Sequence, residues 1–232
     1  NFKKEEKFDT MANESHWRYE RKIVVPRHKA MEFTQLLVRP NLRFYEVFPE
    51  RPVRSIYFDD ARKSAFLQNI EGVSSRIKVR VRWYGETFGV HKPRLEFKIK
   101  RNKTNTKQHF QMLPIEITDF DGNTEILNKI LQAQIDVSAT QFIKGLKPVL
   151  FTIYNRRYFF SSLSGLRVTV DENINYRKCE AHTSAVSMKE IAIVEVKYPV
   201  PASPEFEKFM KCIPYRCTRM SKYINGLLQL NL

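Results

Sequence analysis

Between Ser75 and Tyr84 the chain reads S-R-I-K-V-R-V-R-W-Y, so Arg76, Lys78, Arg80 and Arg82 alternate strictly with Ile77, Val79 and Val81. Successive side chains of a strand point to opposite faces. This segment, folded as a strand, has one face of cations and one of hydrocarbon. Like charges two residues apart repel unless an anion sits among them. The apolar face needs a core, and the basic face needs carboxylates or an anionic ligand.

The same pattern recurs. Arg94, Glu96, Lys98 and Lys100 alternate with Leu95, Phe97 and Ile99. Arg167, Thr169 and Asp171 alternate with Val168 and Val170, and Glu195 and Lys197 with Val194 and Val196. Glu20 and Lys22 run into Ile23, Val24 and Val25. Several strands therefore carry one apolar and one charged face.

The apolar and basic fractions limit the classes of partner. A 232-residue chain that is 42% hydrophobic has enough apolar side chain for a core. A formal net charge of +15 implies an anionic partner: nucleic acid, a membrane surface or a small polyanion. The seven glycines include no G-x-x-x-x-G-K-[ST] loop. No apolar run nears the roughly 20 residues that span a bilayer, and no signal peptide is visible. Cys179, Cys212 and Cys217 are an odd number without framework spacing, which points to a reducing compartment and a cytoplasmic location. His182 lies three residues from Cys179, a spacing that gives a zinc site little weight.

Residues 1–16 read as a polar tail, and 17–232 as one domain. Strands are expected over about 17–25, 53–58, 74–84, 92–101, 106–112, 149–161, 166–173 and 190–198. Helices are expected over about 28–38, in a short piece after Asp59-Asp60, and over 124–134, 138–144, 204–212 and 218–230. This is an α+β pattern. Two architectures satisfy it. One is an open sheet with its charged face in water. The other is a closed antiparallel barrel of about eight strands, its charged face lining the lumen and its apolar face covered by helices. Long cations mixed with glutamates, and amphipathic helices that need a surface to cover, favour the second.

In order along the chain stand Y-E-R-K (19–22), S-I-Y-F-D-D (55–60), E-G…R-x-K-V-R-V-R-W-Y-G (71–85), L-E-F-K-I-K-R (95–101), Y-N-R-R (154–157), L-R-V-T-V-D (166–171), V-E-V-K (194–197) and S-K-Y (221–223). Together they resemble the VTC domain, the polyphosphate polymerase domain of the triphosphate tunnel (CYTH-like) superfamily. The resemblance implies an antiparallel barrel around a basic tunnel. It further implies transfer of the γ-phosphate of ATP to a growing polyphosphate chain, with Mn²⁺ or Mg²⁺. By position it gives Lys22, Arg80, Arg82, Lys98, Arg156 and Arg167 as phosphate-binding catalytic cations and Glu195 as the metal ligand. Lys107, Lys222, Tyr154 and Ser221 would also line the site, and alternation adds Arg76, Lys78 and Lys100. Glu20 and Glu96 are read as neutralising the cations around them. The expected partners are ATP and inorganic polyphosphate, with no nucleic acid.

The superfamily opens with E-x-E-x-K, whereas Arg18 stands at the first position here. That removes one metal ligand and fits the polymerases better than the tripolyphosphate or nucleoside-triphosphate hydrolases, which are the alternative reading. A non-catalytic polyphosphate-binding domain is a third. Phosphoryl transfer needs positioning and charge neutralisation more than a protein nucleophile, and no Ser-His-Asp or Cys-His grouping is evident. One residue fits poorly. Met220, Tyr223, Ile224, Leu227 and Leu228 form a helical stripe, and Lys222 falls nearly opposite. A helix on the outside would turn Lys222 to water, so a site role requires that helix at the tunnel mouth.

Overall fold

The computed structural model describes residues 18–102, 104–117, 143–179 and 185–231. The tail at 1–16, the helix expected over 124–134 and most of that over 138–144 lie outside them. The described strands are β1 (Arg18–Pro26), β2 (Tyr45–Asp59), β3 (Ser75–Tyr84), β4 (Gly89–His91), β5 (Arg94–Arg101), β6 (Thr104–Gln111), β7 (Ile115–Ile117), β8 (Lys147–Phe160), β9 (Arg167–Lys178), β10 (Val186–Met188), β11 (Ile191–Pro199) and β12 (Cys217–Thr218). The helices are α1 (Ala30–Leu37), α2 (Ser64–Ile70), α3 (Ser203–Lys211) and α4 (Lys222–Gln229).

Eight strands pair in the order β9-β11-β1-β6-β5-β3-β2-β8, and β8 pairs back onto β9. The sheet closes into an antiparallel ring. Closure removes the open edges that a long sheet would expose. One joint is slight: among the described residues β1 pairs with β6 only at Arg18 and Asn105. Further along, the free edge of β1 is taken by β12, whose Thr218 and Cys217 pair with Lys22 and Ile23.

The alternation read from the sequence sorts the two faces. Val79, Val81, Trp83, Leu95 and Phe97 pack outside with Phe58 and Phe151. Val168, Val170, Val194 and Val196 form a second outer cluster with Phe33 and Leu37 of α1 and Phe206 and Phe209 of α3. The charged faces meet inside. Lys98 of β5 reaches past β6 to Glu20 of β1, and Arg82 of β3 reaches past β2 to Tyr154 of β8. Only inward-pointing side chains can meet across an intervening strand.

A third cluster lies within the ring at one end. There α4 inserts Tyr223, Ile224 and Leu227, with Leu230 just past its end, among Val53, Tyr57, Leu150, Tyr154, Ile174, Tyr176 and Ile193. Each such apolar side chain contributes roughly 1.5–3 kcal/mol when fully buried. The expected stripe holds at Tyr223, Ile224 and Leu227, while Leu228 is 55% exposed. Tyr223 stacks on Tyr57 at 5.3 Å, and its hydroxyl donates to Asp59. The same carboxylate accepts backbone N–H groups of Ala65 and Phe66, tying α2 to α4.

Two strands run longer than their sequence pattern suggested. β2 begins at Tyr45, eight residues early, because register shifts between Glu46, Phe48 and Arg51 break its alternation. β9 continues past Asn173, which holds φ at +54°, through a shift opposite Ile153 and Asn155. The short strands β4, β7, β10 and β12 carry no usable period.

Gly226 marks where α4 meets the ring wall. A Cβ there would lie 2.6 Å from Leu150 Cδ2 and 2.9 Å from Tyr176 Cδ1, both buried side chains. Alanine in place of glycine inside a helix ordinarily stabilises by about 1 kcal/mol. At Gly226 the sign reverses: Gly226→Ala is expected to destabilise by about 1–3 kcal/mol through overpacking. Urea unfolding monitored by circular dichroism reads the sign.

Candidate phosphate site in the lumen

Neighbouring strands deliver the cations in register. Arg80 lies opposite Glu96, and Lys98 lies between Lys78 and Lys107. Lys22 is opposite Glu195, and Glu20 is opposite Lys197. Arg156 is opposite Asp171. Four buried or nearly buried carboxylates hold this array together.

Glu96, 2% exposed, is clamped from two strands: Arg80 Nε at 2.6 Å and Lys107 Nζ at 2.6 Å, with Arg82 Nη1 at 3.8 Å. Burial alone would raise its pKa, but Arg80, Lys107 and Arg82 outweigh it and hold the carboxyl well below its usual range. Asp171, fully buried, accepts from Arg156 Nε at 2.5 Å and Nη2 at 2.7 Å, and from Lys222 Nζ. Against the upward push of burial, those two cations bring its pKa down to about 2. Glu20 receives Lys98 Nζ at 2.6 and 2.8 Å. Burial and Glu195 push it up, and Lys98, Lys22 and Lys197 bring it down to about 2. Glu195 accepts Lys197 at 2.6 Å and faces Lys22 at 3.6 Å. Burial is again outweighed there, by Lys197, Lys22, Lys98 and Arg156.

Other cations are held less firmly by these carboxylates, Arg82 only by the 3.8 Å approach to Glu96. Arg82 turns Nε to Ser55 Oγ and Nη2 to the Tyr154 hydroxyl, both at 3.0 Å. Lys78 donates to Ser221 Oγ at 3.0 Å, and burial followed by Lys22, Lys98 and Arg76 depresses its pKa strongly. Around Lys100, burial and then the charges of Arg76, Arg219, Lys98 and Arg21 act in the same direction. Arg76 donates to the Val73 carbonyl. The lumen thus keeps an excess of positive charge in a desolvated space, the environment in which a polyanion is bound most strongly.

The expected residues largely come together. Lys22, Lys78, Arg80, Arg82, Lys98, Lys107, Tyr154, Arg156 and Glu195 share the interior. Arg167 follows the same alternation as Asp171, opposite Lys197. Arg76 and Lys100 stand opposite each other nearer the strand ends. The difficulty with Lys222 resolves through the strap before α4. There β12 rides on β1, Lys22 donates to the Met220 carbonyl at 2.9 Å, and Ser221 caps the helix. Because α4 enters the ring, Lys222 points to Asp171 instead of to water. Arg157 lies outside, paired with Glu46.

Asp171, Tyr57 and Ser55 were not singled out from sequence, although Asp171 sits in the R-V-T-V-D alternation that could have found it. The Tyr57 hydroxyl accepts from Arg80 at 3.1 Å. Burial would raise its pKa, but Arg80, Arg82 and Lys222 lower it. A cavity of about 400 Å³ also opens outside the ring, between Leu42, Phe44, Leu166 and Phe209. It lacks this concentration of charge.

The VTC domain family model matches residues 17–231. The chain belongs to the VTC domain family. No curated protein matches its sequence. Among solved structures, a putative adenylyl cyclase from Hippeastrum, described as having a dominant triphosphatase activity, is similar with a TM-score of 0.54 at 17% identity, over 92% of this chain and 96% of that one. A putative adenylate cyclase from Vibrio parahaemolyticus is similar with a TM-score of 0.51 at 11% identity, over 91% and 99%. At such identities the likeness shows the fold, the triphosphate tunnel architecture that the sequence resemblance implied.

Enzymes of this fold generally use divalent metals. Among the described residues of this VTC domain no three His, Cys, Asp or Glu side chains cluster as a ready metal cage. Glu20 and Glu195 nevertheless both approach Lys22 Nζ, at 3.5 and 3.6 Å, from adjacent strands. Mg²⁺-like ions are held by one or two carboxylates together with substrate phosphates and water. This all-oxygen pair fits that habit, with Glu195 as the expected ligand and Glu20 beside it.

Two consequences of the Asp171 clamp are measurable. Asp171→Asn leaves Arg156 and Lys222 buried beside a neutral amide, and a loss of about 3–5 kcal/mol in stability is expected. The folded-state pKa lies below the unfolded one, so the stability this group contributes is complete above about pH 4 and drains as pH falls toward about 2. Acid unfolding of Asp171→Asn is expected to lack that part of the slope.

Proposed function

We propose that this VTC domain transfers the γ-phosphate of ATP onto a growing inorganic polyphosphate chain inside its lumen, with Mn²⁺ or Mg²⁺. The observation that carries the reading is the state of the carboxylates. Glu20, Glu96, Asp171 and Glu195 are each clamped by cations, and each is held below its usual pKa. None is poised as a general base near neutral pH, which activation of water would favour. A terminal phosphate oxygen of an acceptor chain is already ionised and needs no such base.

The residues divide the work. Arg80, Arg82 and Arg156 present planar guanidinium groups suited to paired phosphate oxygens. Lys22, Lys98, Lys107 and Lys222 supply point charges, and Lys78 a desolvated amine beside Ser221. Arg167 extends the array along β9. The Tyr154 hydroxyl holds Arg82 in place. A divalent ion held by Glu195 would neutralise charge on the transferred phosphoryl group. Arg18, on the face of Glu20 by alternation, adds positive charge beside Lys197, where the hydrolase pattern has a carboxylate. The cations lie inside an eight-strand ring, whose interior admits one slender ligand. A nucleic-acid duplex is therefore not the expected partner.

Hydrolysis of tripolyphosphate or nucleoside triphosphates is the second reading. It is favoured by the fold shared with the Hippeastrum protein, described with a dominant triphosphatase activity. Incubation with ATP and Mn²⁺, followed by gel detection of polyphosphate, separates the two. Chains longer than three phosphates are expected, and release of orthophosphate alone would move the assignment to the hydrolase. Binding without turnover would leave a polyphosphate-binding domain. Arg80→Ala, Lys98→Ala and Glu195→Ala are each expected to lower kcat/KM roughly 10- to 100-fold or more, the range for losing one charged hydrogen bond. Lys222→Ala is expected to weaken ATP binding, and an unchanged affinity would remove Lys222 from the site.

A further inference from the structure

The ring brings together a lysine and a serine that lie 143 residues apart. Lys78 Nζ of β3 is 3.0 Å from Oγ of Ser221, the residue before α4. Both residues are half-buried, so a substrate in the lumen can reach them. Lys78 differs from the lysines beside it. In register across the sheet, Lys98 is held by Glu20 and Lys107 by Glu96. Lys78 forms no ion pair among the described residues, and its hydrogen bond is to a neutral hydroxyl. Burial, then the like charges of Lys22, Lys98 and Arg76, depress its pKa strongly against a smaller pull from Glu20. An uncharged amine accepts a hydrogen bond, and the Ser221 hydroxyl is the donor within reach.

A serine hydroxyl paired with a neutral base is an activated nucleophile. The surroundings of Ser221 also favour negative charge on it. Its Oγ caps α4 and accepts from the Ile224 N–H at 3.5 Å. Lys22 Nζ reaches the carbonyl of the preceding residue, Met220, at 2.9 Å, and Lys222 follows directly. A phosphoryl group at a helix N-terminus among cations is stabilised by the helix dipole and by charged hydrogen bonds.

We infer that Ser221 is itself a phosphate acceptor: with ATP in the lumen and no acceptor chain present, Ser221 takes the γ-phosphate and Lys78 acts as its base. This rests on the reading that ATP binds in the lumen. The Lys78 amine takes the hydroxyl proton, and Ser221 Oγ bonds to the γ-phosphorus. The bond from that phosphorus to the oxygen bridging it to the β-phosphorus breaks, and ADP leaves with that oxygen and its electron pair. The products are phosphoserine, ADP and an ammonium at Lys78, which then pairs with the new phosphate. The phosphoserine presents a terminal phosphate among the lumenal cations, where a chain can begin without a free acceptor.

The test incubates the whole chain with ATP and Mn²⁺ in the absence of polyphosphate and maps phosphorylation by mass spectrometry. A parallel sample with tripolyphosphate added is read for chain lengthening on gels. Wild type is expected to gain one phosphoryl group, on Ser221. Ser221→Asn keeps an N-cap acceptor and is expected to lose the label. Ser221→Thr keeps both hydroxyl and cap and should retain it. Lys78→Arg keeps a cation that cannot give up its proton, and is expected to slow labelling about 100-fold or more, the range for removing a general base. A wild type that lengthens tripolyphosphate but gains no phosphoserine without it overturns the inference and leaves the proposed function standing. Label that persists in Ser221→Asn lies elsewhere and overturns it too, as does labelling of Lys78→Arg at the wild-type rate. A wild type that consumes no ATP in either sample overturns the ATP reading itself, and the inference with it.

Discussion

Positive charge confined in a desolvated space is the constraint around which this molecule is built. Taking cations out of water is expensive unless they find partners. The ring supplies Glu20, Glu96, Asp171 and Glu195, each shared between cations from different parts of the chain. Glu96 joins β3, β5 and β6; Asp171 joins β8, β9 and α4; Glu20 reaches from β1 across to β5. These pairs offset the burial of part of the array and hold the rest in place. What they leave over, at Lys78 and Lys100 above all, is an excess of positive charge that suits a multiply charged anion.

The slight joint between β1 and β6 has a compensating use. With one residue pair between them among the described residues, β1 keeps an edge free for β12. That short strand directs the chain into the ring and delivers Met220, Ser221 and Lys222 to three different cation or carboxylate partners. One end of the lumen is thereby apolar and filled by α4, while the other face of the same helix start is part of the charged site. The packing that holds α4 and the chemistry of Lys222 are coupled through a single turn of helix, with Gly226 setting how closely that helix approaches β8.

Much of this was legible in the residues. The alternation at 76–82, 94–100, 167–171 and 195–197 gave strand identity, the face of each side chain and most of the cation array, because a period of two is a local property of the backbone. The ordered motifs then distinguished a closed ring from an open sheet, which alternation alone left undecided. The first half of β2 escaped, since its bulges at Glu46–Arg51 and its prolines erase the period. Asp171 and Tyr57 escaped as site residues because a lone carboxylate or phenol on a strand acquires meaning only from what lies opposite.

The sequence by itself determined that this chain forms strands with one basic and one apolar face, and that an anion must sit among the cations. Tertiary structure decided which cations are already neutralised and which remain for a ligand, since Lys98 meets Glu20, and Arg82 meets Tyr154, only across a closed ring. It also decided the fate of Lys222. Helical periodicity placed that residue opposite the apolar stripe, and so in water. At the start of a helix that enters the ring, though, the side opposite the stripe also meets protein, and there Lys222 finds Asp171.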